Sequence, residues 1–292
     1  MARPPSIDPA AAARWRVAAP ARSPWLHEEV GKRMAERLQW IRIEPQAWAD
    51  WEPARGGIEA HRRVAQRYPR AQCWVLEPSA PRLAVAQREF AQPWWRFGAA
   101  PVHFEAVPES GVQMLWSNMA LHMAADPQEM IGEWQRALAV DGFLMFSCLG
   151  PDTLRELRAL YARLGWAPPA HEFTDMHDWG DMLVHSGFAE PVMDMERITL
   201  TWESAGRMLA ELRELGANLN RGRFPALRGR GWRRELDTRL DALRDAEGRL
   251  ALTFEIVYGH AIKPLPRVRV ADESAVSVRE MQALLRAGRK AG

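Results

Sequence analysis

An acidic residue and two glycines follow the first short apolar run of the sequence. This run, residues 46–50, ends at Asp50, and a turn leads to Gly56 and Gly57 at the start of a helix-like stretch. Glycines let a ligand approach the backbone closely, and the free N–H groups at a helix start favour a nucleotide-type ligand. A plain strand-to-helix turn would use the same glycines, so both interpretations stay open on these residues.

A second acid stands at the end of the next apolar run, residues 72–77. Glu77 follows the second predicted strand, which is where α/β folds place the acid that binds ribose hydroxyls. Its two carboxylate oxygens would accept hydrogen bonds from a cis-diol. A solvated glutamate at a strand end is the alternative.

Four polar side chains further along are candidates for binding a substrate. Asn118 and His122 follow the fourth run, residues 112–117, where they could contact a ligand or cap the next segment. Arg155 and His177 could each pair with a carboxylate, but solvent-facing ion pairs and helix capping also account for them. The sequence has no spacing typical of a zinc site, a Ser-His-Asp set or a Walker loop, so we predict no metal site and no catalytic residue.

Alternating strands and helices must position these residues. Apolar runs that indicate strands occupy residues 46–50, 72–77, 101–104, 112–117 and 143–148, and helix-like stretches occupy 25–41, 57–68, 81–90 and 127–138. This alternation predicts an α/β fold with a parallel sheet covered by helices. Two later strands, 192–202 and 250–257, are separated by a long segment and can pair antiparallel only around a helical insertion.

The composition excludes several classes of protein. The 39 basic and 37 acidic residues give a net charge of +2, which argues against a dedicated nucleic-acid-binding protein. No apolar run approaches the roughly 20 residues that cross a bilayer, so we expect no membrane association. Residues 1–24 lack the pattern of a secretory signal. The two cysteines, Cys73 and Cys148, allow no disulfide framework, and we predict a cytoplasmic location.

Several segments from residue 116 onward resemble a known enzyme family. Residues 116–122, Trp-Ser-Asn-Met-Ala-Leu-His, resemble the motif that follows the fourth strand of class I S-adenosylmethionine-dependent methyltransferases. Four further segments are similar to the malonyl-[acyl-carrier protein] O-methyltransferases of biotin synthesis: residues 146–158, 173–181, 191–196 and 258–264.

The resemblance implies a Rossmann-like, seven-stranded, mostly parallel sheet with an antiparallel last strand pair and a helical lid insertion. It implies methyl transfer from S-adenosylmethionine to the free carboxylate of a malonyl thioester on acyl-carrier protein. On this basis we assign Asp50, Gly56, Gly57 and Glu77 to the cofactor, with His103 and Glu105 at its adenine end, and Asn118, His122, Arg155 and His177 to the substrate.

The same resemblance divides the chain into five segments. They are a flexible N-terminal arm (1–24), the methyltransferase core (25–202), the helical lid insertion (203–249), the final core strand (250–264) and a polar C-terminal tail (265–292). The lid carries a basic stretch that would steer the acidic carrier protein, or would simply be a solvated loop in an arginine-rich sequence. Its arginines are Arg221, Arg223, Arg228 and Arg230.

The first glycine motif departs from the family pattern, which has glycines at the second, fourth and sixth positions after the acid. After Asp50 these positions hold Glu52, Ala54 and Gly56. Ala54 adds a methyl group where the backbone should approach the methionine moiety. Glu52 adds an anion near the expected substrate carboxylate, at a cost of order 1–4 kcal/mol, unless it turns outward or contacts the cofactor's amino group.

This departure leaves two other functions open. The protein could be a non-catalytic member of the fold that binds acyl-carrier protein or another acidic partner through the basic lid. It could also be a methyltransferase for another small carboxylate. A thermal shift with S-adenosylhomocysteine separates the first alternative from an enzyme, and a comparison of free with carrier-bound malonyl thioesters separates the second.

Overall fold

The computed structural model describes residues 7–91 and 100–265, and strands alternate with helices along most of this length. The strands are β1 (Ala47–Trp51), β2 (Gln72–Leu76), β3 (Val102–His103), β4 (Val112–Asn118), β5 (Leu138–Leu149), β6 (Ala189–Trp202) and β7 (Leu250–Ile262). The helices are α1 (Pro9–Ala18), α2 (Trp25–Arg37), α3 (Pro53–Gly56), α4 (Ile58–Arg67), α5 (Ala80–Phe90), α6 (Pro127–Ala137), α7 (Arg155–Arg163), α8 (Met176–His185), α9 (Ala205–Leu215) and α10 (Arg230–Asp241).

The strands form one seven-stranded sheet in the order β3-β2-β1-β4-β5-β7-β6. Strand β7 runs antiparallel to β5 and β6, whereas the pairs between β3, β2, β1, β4 and β5 are parallel. Helices α9 and α10 lie in the connection between β6 and β7. This topology confirms the predicted Rossmann-like fold. Because the carboxyl ends of β1, β2 and β4 meet at one edge of the sheet, the segments that follow them lie together.

Helices cover both faces of the sheet and bury the apolar sides that their sequences present. The stripe of Val30, Met34 and Leu38 in and after α2 is fully buried against Trp48 and Met114. The opposite face is covered by α6 and α8, in a core that contains Leu115, Trp134, Leu144, Phe146 and Trp179. Close packing of this kind fixes the strand ends from which the candidate site is built. Within residues 7–91 and 100–265, no helix has the length and apolar character that crossing a membrane requires.

Strand β5 begins at Leu138, earlier than the predicted start at residue 143. Leu138 pairs with Val112 and Phe143 pairs with Met114, so residues 139–142 form an irregularity within the strand. Asp141 has a φ of 62° there, as the Asp-Gly pair allows. The Asp141-Gly142 pair, which is typical of a turn, therefore lies inside the strand.

Helix α10 begins within the basic stretch of the insertion, for which a solvated loop is one of the two interpretations of the sequence. Trp232, Leu236 and Leu240 recur every four residues, and both leucines are buried against the core. The glycines at 229 and 231 conceal this pattern because glycine is a poor helix former. The leucine spacing was the signal that could have identified the helix.

Helix α1 forms within the segment that we predicted to be a flexible arm. The Asp8 carboxylate accepts hydrogen bonds from the N–H groups of Ala10 and Ala11, and Pro9 occupies the first helical position. Asp8 also forms an ion pair of 2.6 Å with Arg223, so the start of α1 is attached to the insertion. The rest of the predicted arm, residues 1–6, and of the predicted tail, residues 266–292, lies outside the described residues.

Candidate active site

A cavity of about 560 Å³ opens at the carboxyl ends of β1, β2 and β4. This volume is within the range of small-molecule sites, and the position is the one that open α/β sheets use for ligands. Helix α1 covers one side and the start of α6 another. The polar or backbone groups of its wall come from Arg16, Glu52, Arg55, Gly56, Arg82, Asn118, Asp126, Glu129 and Glu133.

A second cavity of about 220 Å³ adjoins the first and is mainly apolar. Its walls include Leu149, Leu157, Tyr161, Phe173, Leu212 and Phe254, together with three histidines, His27, His122 and His171. His27, Met119, Met123 and Leu215 line both cavities. The site therefore has a charged compartment and an apolar compartment that meet at a common wall.

Glu52 lies on the wall of the charged compartment, but its charge is compensated. Its carboxylate forms ion pairs of 2.7 Å with Nη1 of Arg82 and of 3.6 Å with Nε of Arg16. Arg82 is only 2% exposed and also donates to the carbonyl oxygen of Arg16. The neighbouring Trp51 is buried away from the cavity, edge-on to Trp134 with ring centroids 6.0 Å apart. Neither Glu52 nor Trp51 closes the cavity.

Glu77 presents one unsatisfied carboxylate oxygen. Oε1 accepts a hydrogen bond of 2.7 Å from the N–H of Ala54, whereas Oε2 is buried with no partner among the described residues. Burial raises the pKa of Glu77 to about 8, and the bond from Ala54 offsets this only in part. Glu77 itself does not line the cavity, but its neighbour Pro78 does. Once the carboxyl is ionised, this unpartnered oxygen is suited to accept a hydrogen bond from a ligand hydroxyl, as the position of Glu77 after β2 predicts.

Ala54 and Asp50 are buried beneath the cavity wall. Ala54 is fully buried and does not line the cavity, so its methyl group leaves the cavity free. Asp50 Oδ2 lies 2.8 Å from Nδ1 of His61, and burial raises the pKa of the Asp50 carboxyl. His61 in turn stacks on Phe90 with ring centroids 3.8 Å apart. The structure thus places Asp50 among core residues, and no feature of the sequence indicated its partner His61.

The two predicted glycines have different surroundings. Gly56 lines the cavity, and a Cβ added there would lie 3.0 Å from the carbonyl oxygen of Asn118. Gly57 faces α2 instead, where the Glu28 carboxylate accepts hydrogen bonds from the N–H groups of Ile58, Glu59 and Ala60. Glu28 therefore caps α4. Gly56 is therefore the residue of the turn after β1 that lines the cavity. The N–H groups at the start of α4 are already bonded to the Glu28 carboxylate.

Replacing Gly57 by alanine is expected to lower the free energy of unfolding by about 1–3 kcal/mol, because its φ of 146° is strained for any L-residue. The added Cβ would also lie 2.8 Å from Cβ of Ala60. Gly231→Ala in α10 is the matched control: an added Cβ there meets no described atom within 4 Å, so about 0.5–1 kcal/mol of stabilisation is expected. Urea unfolding measures both, and a Gly57→Ala protein as stable as the parent would contradict the expectation.

Asn118 connects four elements on the wall of the charged compartment. Its Nδ2 donates to the carbonyl oxygens of Gly56 and His27, the latter at 2.8 Å, and its Oδ1 accepts a bond of 2.6 Å from the Ser147 hydroxyl. The side chain is 2% exposed. Its polar atoms therefore have protein partners and hold α2, the turn after β1 and β5 together. The predicted contact of this side chain with a substrate stays a prediction.

The three histidines of the apolar compartment are held neutral by burial. Burial lowers the pKa of His27 to about 3, and it also lowers the pKa values of His122 and His171. His171 Nε2 donates to the carbonyl oxygen of His122 at 2.9 Å, and Nδ1 of each of these two rings lacks a described partner. Of the predicted substrate residues, His122 thus lies on the wall of the apolar compartment. His27 and His171 carried no sequence signal.

The other predicted site residues lie outside both cavities. Arg155 is exposed and pairs with Glu156 at 3.1 Å. His177 is exposed in the first turn of α8. His103 stacks on Trp74 at the edge of the sheet, with ring centroids 4.4 Å apart, and pairs with Glu105 at 3.1 Å. In the part of the chain described, the structure does not bring these four residues to the cavities.

Two of the four arginines of the insertion are exposed and two are partly buried. Arg221 and Arg230 are exposed, and Arg223 is held by Asp8. The guanidinium of Arg228 lies 4.4 Å from the ring centre of Trp232. Next to them, Leu227 is 99% exposed. The surface therefore combines positive charge with an exposed apolar side chain.

The chain is similar to named enzymes over most of its length. A malonyl-[acyl-carrier protein] O-methyltransferase from Gallionella capsiferriformans is 41% identical over 254 residues, which cover 83% of this chain and 86% of the relative. One from Laribacter hongkongensis is 41% identical over 276 residues, with coverages of 90% and 89%. A family model described as a methyltransferase domain matches residues 52–146.

Solved structures agree with the topology. The YcgJ protein from Bacillus subtilis is similar with a TM-score of 0.53, covering 82% of this chain and 99% of that chain. The identity between the two is 12%, so this similarity concerns the fold alone.

Proposed function

The chain belongs to the malonyl-[acyl-carrier protein] O-methyltransferase family, and from this premise we propose that it methylates the free carboxylate of malonyl-[acyl-carrier protein] with S-adenosylmethionine. The observation that supports this function best is the pair of adjoining compartments at the strand ends, one charged and one apolar. Methylation would mask the malonyl charge and so prepare the thioester for chain elongation in biotin synthesis.

The charged compartment has the groups that a sulfonium nucleoside requires. Its volume of about 560 Å³ suits a ligand of this size. Oε2 of Glu77, the residue before the cavity-lining Pro78, has no partner among the described residues and in its ionised form would accept hydrogen bonds from ribose hydroxyls, while Gly56 leaves room beside the turn after β1. Because Glu52 is paired with Arg82, it does not present an uncompensated negative charge to the substrate. These features fit S-adenosylmethionine, which when bound supplies an electrophilic methyl group.

The contribution of the protein to the reaction would be positioning and exclusion of water. A carboxylate is already a nucleophile, so the site needs no strong general base, in agreement with the lowered pKa values of His27, His122 and His171, which make these imidazoles weak bases. The apolar walls around Phe173 and Phe254 would remove water from the malonyl group at the junction of the compartments. Asn118 would keep the turn after β1 in register with α2 during the reaction.

The proposal is tested with the full-length purified chain, malonyl-[acyl-carrier protein] and S-adenosylmethionine. We expect a methyl ester on the carrier-bound malonyl group by mass spectrometry, and restored growth of a biotin auxotroph that lacks this step. S-adenosylhomocysteine at 100 times its dissociation constant should raise the free energy of unfolding by about 2.7 kcal/mol. A folded protein that shows neither the ester nor the stabilisation would refute the function.

The surface of the insertion supports the carrier protein as partner. Acyl-carrier proteins are acidic, and Arg221 and Arg230 are exposed cations beside the protruding Leu227. Opposite charges raise association rates and orient the encounter. Cys73 and Cys148 are both buried and unpaired, which supports a reducing, cytoplasmic setting for this encounter.

Reversing the charge of Arg221 and Arg230 to glutamate is expected to raise the KM for malonyl-[acyl-carrier protein] about tenfold at low salt with little change in kcat, because the exposed pair acts on the encounter. A small malonyl thioester should be used equally well by both proteins. Arg63→Glu with Arg70→Glu makes the same charge change on exposed residues of and after α4, and we expect a smaller effect. Equal effects of the two double variants would rule out this surface.

A further inference from the structure

Arg55 is a buried cation at the centre of the site. It belongs to the short helix α3, is 7% exposed and lies on the wall of the charged compartment. Its Nη2 donates to the carbonyl oxygens of Glu214 and Leu215 at 2.9 and 3.0 Å, at the end of α9. Its own carbonyl oxygen accepts a bond of 2.8 Å from Nδ1 of His27. Arg55 thus connects the turn after β1 to the insertion.

The charge of Arg55 has no close counterion in the described part of the chain. No carboxylate oxygen of residues 7–91 or 100–265 forms an ion pair with it, whereas the other buried guanidinium, that of Arg82, has Glu52 at 2.7 Å. Nη1 of Arg55 is buried and has no hydrogen-bond partner among those residues. Burying a guanidinium without an anion is unfavourable, and an unsatisfied donor adds to the cost.

The surroundings of Arg55 favour one further negative charge. Burial and the nearby charge of Arg82 lower the pKa of Arg55 to about 10, and the more distant carboxylates of Glu52 and Glu214 offset this only in part, so the group stays charged at neutral pH. Of the residues bonded to it, His27 and Leu215 line both compartments. An anion that met Nη1 would therefore lie close to the wall that the compartments share.

We propose that Arg55 is the carboxylate-binding residue of this site, with Nη1 donating to a carboxylate that enters the charged compartment. The inference rests on the proposed function and goes beyond the residues that the family pattern assigns. Two carboxylates come to this place in the proposed reaction: the α-carboxylate of the methyl donor and the carboxylate of the malonyl group. Both offer an anionic oxygen to which Nη1 could donate a charge-assisted hydrogen bond.

The test measures dissociation constants by calorimetry for the full chain and for Arg55→Gln. One ligand pair is S-adenosylhomocysteine and its analogue without the carboxylate, S-adenosyl-3-thiopropylamine. The other pair is malonyl-pantetheine and its neutral methyl ester, each measured with S-adenosylhomocysteine present. The removal of a charge-assisted hydrogen bond is expected to weaken binding of a carboxylate-bearing ligand about 10- to 100-fold and to leave its neutral partner unchanged.

The two pairs identify the source of the carboxylate. A loss confined to S-adenosylhomocysteine assigns Arg55 to the donor, and a loss confined to malonyl-pantetheine assigns it to the substrate. If Arg55→Gln changes the dissociation constants of the carboxylate-bearing ligand and its neutral analogue equally in both pairs, or changes none of them, the proposal is overturned. If Arg55→Gln fails to fold, Arg55→Lys is judged by the same rule. A several-fold loss is expected because the single ammonium of lysine cannot bond the carbonyl oxygens of Glu214 and Leu215 and also reach the position of Nη1. A parent chain that binds no S-adenosylhomocysteine would instead refute the proposed function.

Discussion

Replacing Glu77 by glutamine is expected to weaken binding of S-adenosylhomocysteine about 100-fold at pH 8. An ionised carboxylate that accepts ribose hydroxyls forms charge-assisted bonds, each stronger than the bond that an amide oxygen would accept. Glutamine keeps the size of the side chain and can still accept the N–H of Ala54, now bonded to Oε1 at 2.7 Å, so the turn after β1 should persist. Calorimetry gives the two dissociation constants directly.

The pH dependence of this binding has a definite sign. Burial raises the pKa of Glu77 to about 8 in the free protein, so the group is largely protonated at pH 7. Ribose hydroxyls donate to the ionised form and would lower this pKa, so binding must release a proton between about pH 5 and 8. The dissociation constant should fall nearly tenfold per pH unit from pH 6 to 7.5 and level off above pH 8.

Glu77→Gln should abolish this dependence, because the amide does not titrate. Calorimetry at pH 7 in two buffers of different ionisation enthalpy measures the released proton separately. In the unliganded protein the pKa of Glu77 rises from 4.5 in the unfolded state to about 8 in the folded state, so between these pH values the folded state binds more protons. The contribution of Glu77 to the free energy of unfolding should therefore decline as the pH rises through this window. An affinity that is independent of pH in the parent chain would refute the assignment of Glu77 to the ribose.

The position of Glu77 could be predicted from the sequence because it follows from general properties of α/β sheets. A strand ends where its apolar run ends, and parallel strands bring their carboxyl ends to one edge. The same reasoning correctly placed the turn containing Gly56 and the segment containing Asn118 at that edge. Such predictions need only the order of elements along the chain.

The arginines of the site could not be predicted in this way. The sequence has 39 basic residues, and all but Lys32, Lys263 and Lys290 are arginines, so no single arginine stands out. Arg55 and Arg82 are buried because α1 and the end of α9 close over them, and these contacts join segments far apart in sequence. Likewise, the negative charge of Glu52 is compensated by Arg82, and only the tertiary structure brings these two residues together.

Asn118→Asp is expected to lower the free energy of unfolding by about 3–5 kcal/mol at pH 8. This is a larger loss of stability than the one expected for Gly57→Ala. The amide Nδ2 donates to the carbonyl oxygens of Gly56 and His27, and a carboxylate in its place would present a buried negative charge to two acceptors. The Ser147 hydroxyl, 2.6 Å from Oδ1, would be the one donor left beside it.

The loss of stability in Asn118→Asp should become smaller as the pH falls. Burial without a cation raises the pKa of the introduced carboxyl, and the protonated form can donate to one of the two carbonyl oxygens. Because the folded state then binds a proton that the unfolded state has lost, the stability of the variant should improve from pH 8 toward pH 4 relative to the parent chain. Urea unfolding at both pH values measures this difference. A constant difference would show that the introduced charge is accommodated by solvent.

The neighbouring Ser117 provides the control that separates this network from burial alone. Ser117 is as fully buried as Asn118, but its hydroxyl has no described partner, so Ser117→Ala removes an unsatisfied polar group and should leave stability unchanged or slightly raised. Because Asn118 also fixes Gly56 beside the cavity, its variant should lose affinity for S-adenosylhomocysteine even where it is fully folded, and Ser117→Ala should not. Equal affinity of the two folded variants for S-adenosylhomocysteine would mean that Asn118 supports the sheet and α2 without shaping the charged compartment.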